Sequence, residues 1–329
     1  MTKRLRLVAR SGNVYPPLRM NAHFTILGLG EALFDVFPDR QVLGGAPLNV
    51  AVHAHQIARP RGGCGVVVSR VGQDPLGNLL LAELRKRGMT TDYVQTDPDR
   101  ATGTVFVDLS DPASPSYEIV KGAAWDWIQF DPELESLASQ CQAVCFGTLA
   151  QRESESRNAI LRVLSAAKRA VRLFDVNLRQ KDYSAQIVRR SLEHCSAIKL
   201  NESELPIIAD LLAFSASPTA AGKDLSERLA FTLLKKFDLK LVALTRGARG
   251  TLLLTPTGRF EGEVPRYEPE PGADSVGAGD ACAAGILLGL VLRWPMDRTV
   301  HVANHLGAFV ASRAGATPVL PQSVLDLTK

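Results

Sequence analysis

The stretch DSVGAGDACAAG, Asp274–Gly285, decides how this 329-residue chain is read. Three small residues, Gly277, Ala278 and Gly279, allow a turn tight enough to bring backbone N–H groups close to an anion. Next comes Asp280, itself an anion, where a P-loop would offer Lys. The run that follows, ACAAGILLGLVLRW, is apolar nearly all round and is stopped by Pro295, which predicts a buried helix. The start of such a helix presents unpaired N–H groups and a positive dipole end, a ready anion site. Asp280 can serve there simply as a helix-start residue that complements the dipole. Held that way it also stays ionised, repels phosphate from its own position and accepts a proton from a nearby hydroxyl. N–H groups for a transferring phosphoryl and a carboxylate for the nucleophile are what phosphorylation of a hydroxyl needs.

Around this stretch the chain alternates strand-like and helix-like runs. HFTILGLG begins as a short buried strand, APLNVAVHAHQIAR has helical periodicity, CGVVVSRVG reads as a strand, and GNLLLAELRKRG as a helix stopped by Gly88. AVCFGTLA, AAKRAVRLFDVNLR, SAIKLNESEL and LKLVALTRGARGTLLL continue the rhythm, the signature of an α/β fold with a mostly parallel sheet. Two segments interrupt it. ALFDVFPDRQVLGG predicts exposed strands, and TGTVFVDLSDPASPSYEIVKGAA predicts a hairpin whose loop is SDPASPS. Together, residues 32–46 and 101–126 are expected to form a small discontinuous β lid on a main domain of residues 23–31, 47–100 and 127–329.

The composition, 46% hydrophobic and 22% charged, is that of a globular chain, and no apolar run reaches the ~18 residues of a membrane span. The formal charge of +4 is local: residues 1–20 hold Lys3, Arg4, Arg6, Arg10 and Arg19 with no Asp or Glu, and the remainder is close to neutral. That is no footprint for nucleic acid. Residues 1–22 are expected to be a disordered basic extension, or to reflect a start placed too far upstream. Five cysteines without a C-x-x-C pair fit a cytoplasmic chain with buried thiols. His301 and His305 share a helical face without the Glu of a zinc protease motif, so zinc is not expected.

Ligands of open α/β sheets sit outside the carboxyl ends of strands, which gives weight to GLGEALFD, FDVNLR, KLNESE and TRGARG. The first lacks the third glycine of a dinucleotide fingerprint, Leu33 standing in its place. In FDVNLR, Asp175, Asn177 and Arg179 have period two and project to one side if the strand persists, or else form loop hydrogen bonds and a surface Arg. In NESE, Asn201 and Glu204 are helix neighbours; they either cap the helix or orient water around a magnesium ion. TRGARG offers a hydroxyl and two glycines, either for a turn passing close to a nucleotide or for a plain glycine turn.

The ordered set GEALFD, GGAPLNVA, RVGQDPLG, DVNLR, NESE, TRGARG and DSVGAGDACAAG resembles the ribokinase-like carbohydrate kinases, the phosphofructokinase B family, from about residue 24 to about 322. The resemblance implies a three-layer α/β sandwich with a β-sheet lid, and transfer of the γ-phosphoryl of ATP to a sugar hydroxyl. It implies Asp280 as base and the N–H groups of Gly277, Ala278 and Gly279 as anion hole. Asp35, Gly45 and Asn49 match sugar-binding positions, with Asn177 and Arg179 near the transfer site. Asn201 and Glu204 match the motif that acts on magnesium, through water, and on phosphate. Thr245, Gly247 and Gly250 match the nucleotide turn, and Asn304 the adenine region. GEALFD with GGAPLNVA looks most like fructokinases; kinases of 2-keto-3-deoxygluconate, ribose and other sugars share much of it. Ser275-Val276 replaces a common Thr-Thr and Arg246 a common apolar residue, which bears on a monovalent cation such as K+ and on nucleotide preference. A homodimer through the lid is the implied assembly. A nicotinamide-dependent oxidoreductase would need the missing third glycine, and a sugar-binding regulator without chemistry would not need Asp280 and NESE.

Overall fold

The computed structural model describes residues 22–37, 40–108, 116–180, 182–217, 222 and 224–329, so the expectations for residues 1–21 and for most of the SDPASPS loop lie outside the described residues. In chain order the strands are β1 Phe24–Leu29, β2 Leu33–Val36, β3 Gln41–Gly44, β4 Gly63–Gly72, β5 Val94–Asp97, β6 Gly103–Asp108 and β7 Ser116–Ile119. They continue as β8 Ala143–Phe146, β9 Val171–Asp175, β10 Ala197–Asn201, β11 Leu241–Thr245, β12 Thr251–Thr255 and β13 Gly258–Glu261.

Nine of these form one sheet in the order β13-β12-β11-β10-β9-β8-β1-β4-β5. All its pairings are parallel except β11 with β12 and β12 with β13. Successive residues of a central strand enter cores on opposite faces: Ile26, Cys145 and Leu173 join one, and Leu27, Phe146 and Phe174 the other. Such strands read as unbroken apolar runs because both faces are covered. Helices Ala46–Ala58, Ala278–Val291 and Met296–Ala311 cover the first face, contributing Val50, Leu287 and Leu306. Helices Pro132–Gln140, Ser154–Ala166, Ala185–His194, Glu204–Leu211 and Leu225–Lys236 cover the second, contributing Leu137, Val163, Leu192, Ile208 and Leu233. The chain thus has the ribokinase-like three-layer fold.

The remaining strands form a small sheet in the order β3-β2-β6-β7, drawn from the two segments that interrupt the alternation. One expectation needs correction. Residues 33–44 are not exposed strands throughout, because Leu33 and Phe34 are buried. Phe34 joins a satellite core with Leu48, Val52 and Leu80, so β2 rests on helices Ala46–Ala58 and Pro75–Lys86 and lacks a free face there. No helix among the described residues is long and apolar enough to cross a membrane.

Candidate active site

Asp280 lies in the first turn of helix Ala278–Val291, whose cap residue Gly277 has φ 77. Only glycine fits there: the left-handed backbone disfavours a side chain, and an added Cβ would collide with the Ala316 carbonyl oxygen. That oxygen also meets buried His53 Nε2 at 2.9 Å, so helix Ala46–Ala58, the turn and the C-terminal loop are locked together. The N–H of Ala278 reaches the Ser275 carbonyl at 3.3 Å, while those of Gly277 and Gly279 have no partner among the described residues.

The carboxylate of Asp280 is buried and accepts a hydrogen bond from Asn49 Nδ2 at 2.8 Å, leaving Asn49 Oδ1 without a partner among the described residues. Burial, reinforced by the charge of Asp175, pushes the Asp280 carboxyl up to about 6; Lys199, the Asn49 hydrogen bond and Arg179 hold it from rising further. A lysine is therefore present at this glycine turn, but it arrives from beneath. Lys199 on β10 donates to both oxygens of Asp175, at 2.8 and 2.9 Å, and a Cβ added to Gly279 would sit 3.4 Å from its ammonium. Burial pulls the Lys199 pKa down, yet the pairing with Asp175 lifts it above the ordinary lysine value, so the cation persists.

Sequence reasoning passed over Lys199, and it passed over Glu31. Glu31 lies two residues beyond the end of β1, is buried, and has its Oε2 without a partner among the described residues. Burial pushes its carboxyl up to about 7, against the N–H of Ala46 and the charge of Arg179. The charged GE pair after a buried strand was the available signal for Glu31. For Lys199 the signal was a single charged residue inside an otherwise apolar strand, which must be paired when buried.

On the small sheet, β2 carries Asp35, whose carboxyl burial raises to about 6 while Arg179 opposes the rise and Asp274 adds to it. Gly45, with φ 107, opens helix Ala46–Ala58 and packs on the Glu31 carbonyl, which brings Asn49 to Asp280. Arg179 is exposed and its charge acts on Glu31, Asp35 and Asp280 alike. The period-two placement of FDVNLR does not hold. β9 ends at Asp175 and Asn177 takes φ 44, so Asp175 pairs with its in-register neighbour Lys199 on β10 while Asn177 and Arg179 belong to the following loop.

The NESE turn is a reciprocal cap. Asn201 Oδ1 accepts from the Ser203 and Glu204 N–H groups at 2.9 Å each, and Glu204 Oε2 accepts from the Asn201 N–H at 2.9 Å. Glu204 Oε1 takes the Leu178 N–H at 2.8 Å, pinning the loop that carries Arg179. Burial raises the Glu204 pKa, and these two backbone donors oppose it. Thr245 pairs in register with Asn201, so NESE and TRGARG leave the sheet side by side. Gly247 and Gly250 take φ 55 and 72, and a Cβ at Gly250 would stand 2.9 Å from Asn304 Nδ2. Asn304 spends its side chain on backbone, accepting from Thr251 N at 3.0 Å and donating to the Gly262 and Glu263 carbonyls at 2.9 and 3.2 Å. Arg246 is drawn to Glu261 at 2.9 Å within a charged cluster that includes Glu227 and Arg259.

The charge of Arg179 thus links Glu31, Asp35 and Asp280, the charges of Asp175 and Lys199 act on Asp280, and Asn201 and Thr245 lie in register at the ends of β10 and β11. A surface depression lined by Asp92, Tyr93, Pro132, Glu133 and Ser136 holds none of them. The family profile of the pfkB carbohydrate kinases matches residues 30–323, and the chain belongs to that family of sugar phosphotransferases. It is 28% identical to a fructokinase of Escherichia coli over 317 residues, 89% of this chain and 95% of that one. A Xylella fastidiosa fructokinase structure with bound ATP superposes with a TM-score of 0.77 at 24% identity, covering 92% of this chain and 97% of the other. A double mutant of Vibrio cholerae fructokinase, with fructose, ADP and potassium ion bound, gives a TM-score of 0.75 at 25% identity, covering 94% and 99%. The chain is a fructokinase-like sugar kinase.

Proposed function

We propose that this kinase transfers the γ-phosphoryl of ATP to a hydroxyl of fructose, with Asp280 as general base. The observation that carries the reading is the buried Asp280 carboxylate at a helix start, beside the N–H groups of Gly277 and Gly279, which have no partner among the described residues. As the sugar oxygen bonds to the γ-phosphorus and the bond to the bridging oxygen breaks to leave ADP, the hydroxyl proton passes to Asp280. The N–H groups, with Ala278 joining once its long turn contact yields, stabilise charge on the phosphoryl oxygens, and Lys199 supplies fixed positive potential from below. Arg179, whose charge acts on Glu31, Asp35 and Asp280, is assigned to offset charge on the phosphoryl.

Asp35, Gly45, Asn49 and Asn177 are assigned to the sugar. Asn49 both steadies Asp280 and keeps Oδ1 as an acceptor for a hydroxyl. Thr245, Gly247 and Gly250 are assigned to the nucleotide, with Asn304 acting through the backbone it pins. No group of three or more His, Cys, Asp or Glu among the described residues could hold a metal ion, and both Glu204 oxygens accept backbone N–H groups. These residues fit a magnesium ion carried by the nucleotide phosphates and held through water by Glu204 and Asn201, not a protein cage. Such an ion would neutralise phosphate charge. A monovalent cation such as K+ would belong near the 274–276 turn, and replacing potassium with tetramethylammonium in the assay tests it. Half-exposed Phe106 and Tyr117 on the small sheet support a homodimer there, which sedimentation tests.

Fructose is favoured by the Escherichia coli relative and the fructose-bound Vibrio structure. The deciding experiment is ATP consumption with fructose, ribose, 2-keto-3-deoxygluconate and adenosine at equal concentration. Fructose should give the highest kcat/KM; a clear preference for another sugar would replace it, and no turnover with any would favour a sugar-binding relative without chemistry.

A further inference from the structure

Arg152 follows the short turn after β8, far in sequence from every motif residue, and its guanidinium is buried. Nε and Nη2 fork onto the two oxygens of Asp126 at 2.8 and 2.7 Å. Nη2 also donates to the carbonyl of Val120 at 2.7 Å, and Nη1 reaches Asp182 Oδ2 at 3.3 Å. The plane lies 4.2 Å from the Trp125 ring centroid. These partners belong to two separate pieces of the site. Val120 directly follows β7, the last strand of the small sheet, and continues its pairing through an N–H donated to the Thr104 carbonyl at 3.1 Å. Asp182 closes the loop of Asn177 and Arg179, its N–H donating to the Arg179 carbonyl at 3.0 Å. Gln180 of that loop donates to the Tyr117 carbonyl on β7, a second tie between the same two pieces.

We propose that Arg152 is a positioning residue that sets the small sheet and the Arg179 loop in one geometry, so that the surface bearing Asp35 and the cation of Arg179 reach the sugar together. This rests on the small sheet and Arg179 facing the sugar, as proposed above. Arginine suits the role because one planar fork serves a carboxylate, a carbonyl and a second carboxylate, which a lysine ammonium does not. A purely structural guanidinium would need only Asp126 and the Trp125 face. The arm to Asp182 is the part that serves the site.

Asp182→Asn removes the negative charge from that arm at its more exposed end and so weakens it. It is expected to raise the KM for the sugar roughly ten- to hundredfold and lower kcat, because misplacement of a loop by about 1 Å is enough for such losses. The KM for ATP and the melting temperature should stay close to those of the parent. In the same variant, hydrogen exchange of peptides covering 116–120 and 176–183 should accelerate together, whatever the turnover. Arg152→Lys should repeat the sugar defect, and the double variant should be no worse than Arg152→Lys alone. Unchanged sugar kinetics in Asp182→Asn, while Asp280→Asn is inactive, would overturn the proposal and leave the site assignment standing. Faster exchange confined to 176–183 would overturn the coupling on grounds independent of catalysis.

Discussion

Glu31 shows how much a single buried carboxyl contributes to the balance of this site. Its folded-state pKa of about 7 lies above the ordinary 4.5, so between those values the folded protein binds more protons than the unfolded chain. The destabilising effect of this group is therefore absent below that window and complete above it. Glu31→Gln should be more stable than the parent at pH 8, by up to about 3 kcal/mol on the size of the shift, and the gain should vanish towards pH 4.5. His53, lowered by burial to about 4, works the other way, because the unfolded chain takes up its proton first as pH falls. Urea unfolding of parent and variant across that range isolates Glu31, since His53 is common to both. An equal stability difference at both ends would show that Glu31 is not the titrating group. Catalysis has its own limb: with Asp280 at about 6, kcat/KM should fall as pH drops through that value.

At the scale of elements, sequence reasoning held two roles of the NESE turn as alternatives, and the structure shows one of them. The cap is realised, and Glu204 also holds the Leu178 N–H of the neighbouring loop, so a nucleotide role would be built on a structural one. Glu204→Gln sets an NH2 against a backbone donor, and should lower the melting temperature by a few degrees, as loss of a buried bond of about 1–2 kcal/mol implies. It should also raise the magnesium needed for half-maximal activity. A lower melting temperature with unchanged magnesium dependence would confine Glu204 to the cap. Elements whose pattern is local were legible: the apolar run after Asp280, the strand CGVVVSRVG and the helix stopped near Gly88 all lie where periodicity and punctuation put them. FDVNLR was not, because a left-handed Asn177 ends the period-two pattern, and no residue type announces that. Lys199 and Arg152 were not either, since their meaning depends on partners 24 to 32 residues away.

At the scale of the whole molecule, the proposed site draws on both the small sheet and the large one. Asp35 comes from the first, and Asp280, Lys199 and Glu204 from the second and its helices. Asp35→Ala should reduce kcat/KM for the sugar by about 2–4 kcal/mol in transition-state terms, while a rise only in the KM for ATP would contradict its assignment. The ordered motifs conveyed the family, and the two interruptions of the alternation announced a small sheet drawn from both, but the packing of Phe34 beneath it is a tertiary fact. Asp280 carries the proposed chemistry, and turnover of Asp280→Asn tests it, with sugar and ATP affinity determined by calorimetry on the same preparation. The substitution keeps the shape and removes the basicity, so turnover should fall by at least about 10²–10⁴-fold while both affinities stay within about tenfold. Near-normal turnover with intact binding would contradict the assignment of Asp280 as the base.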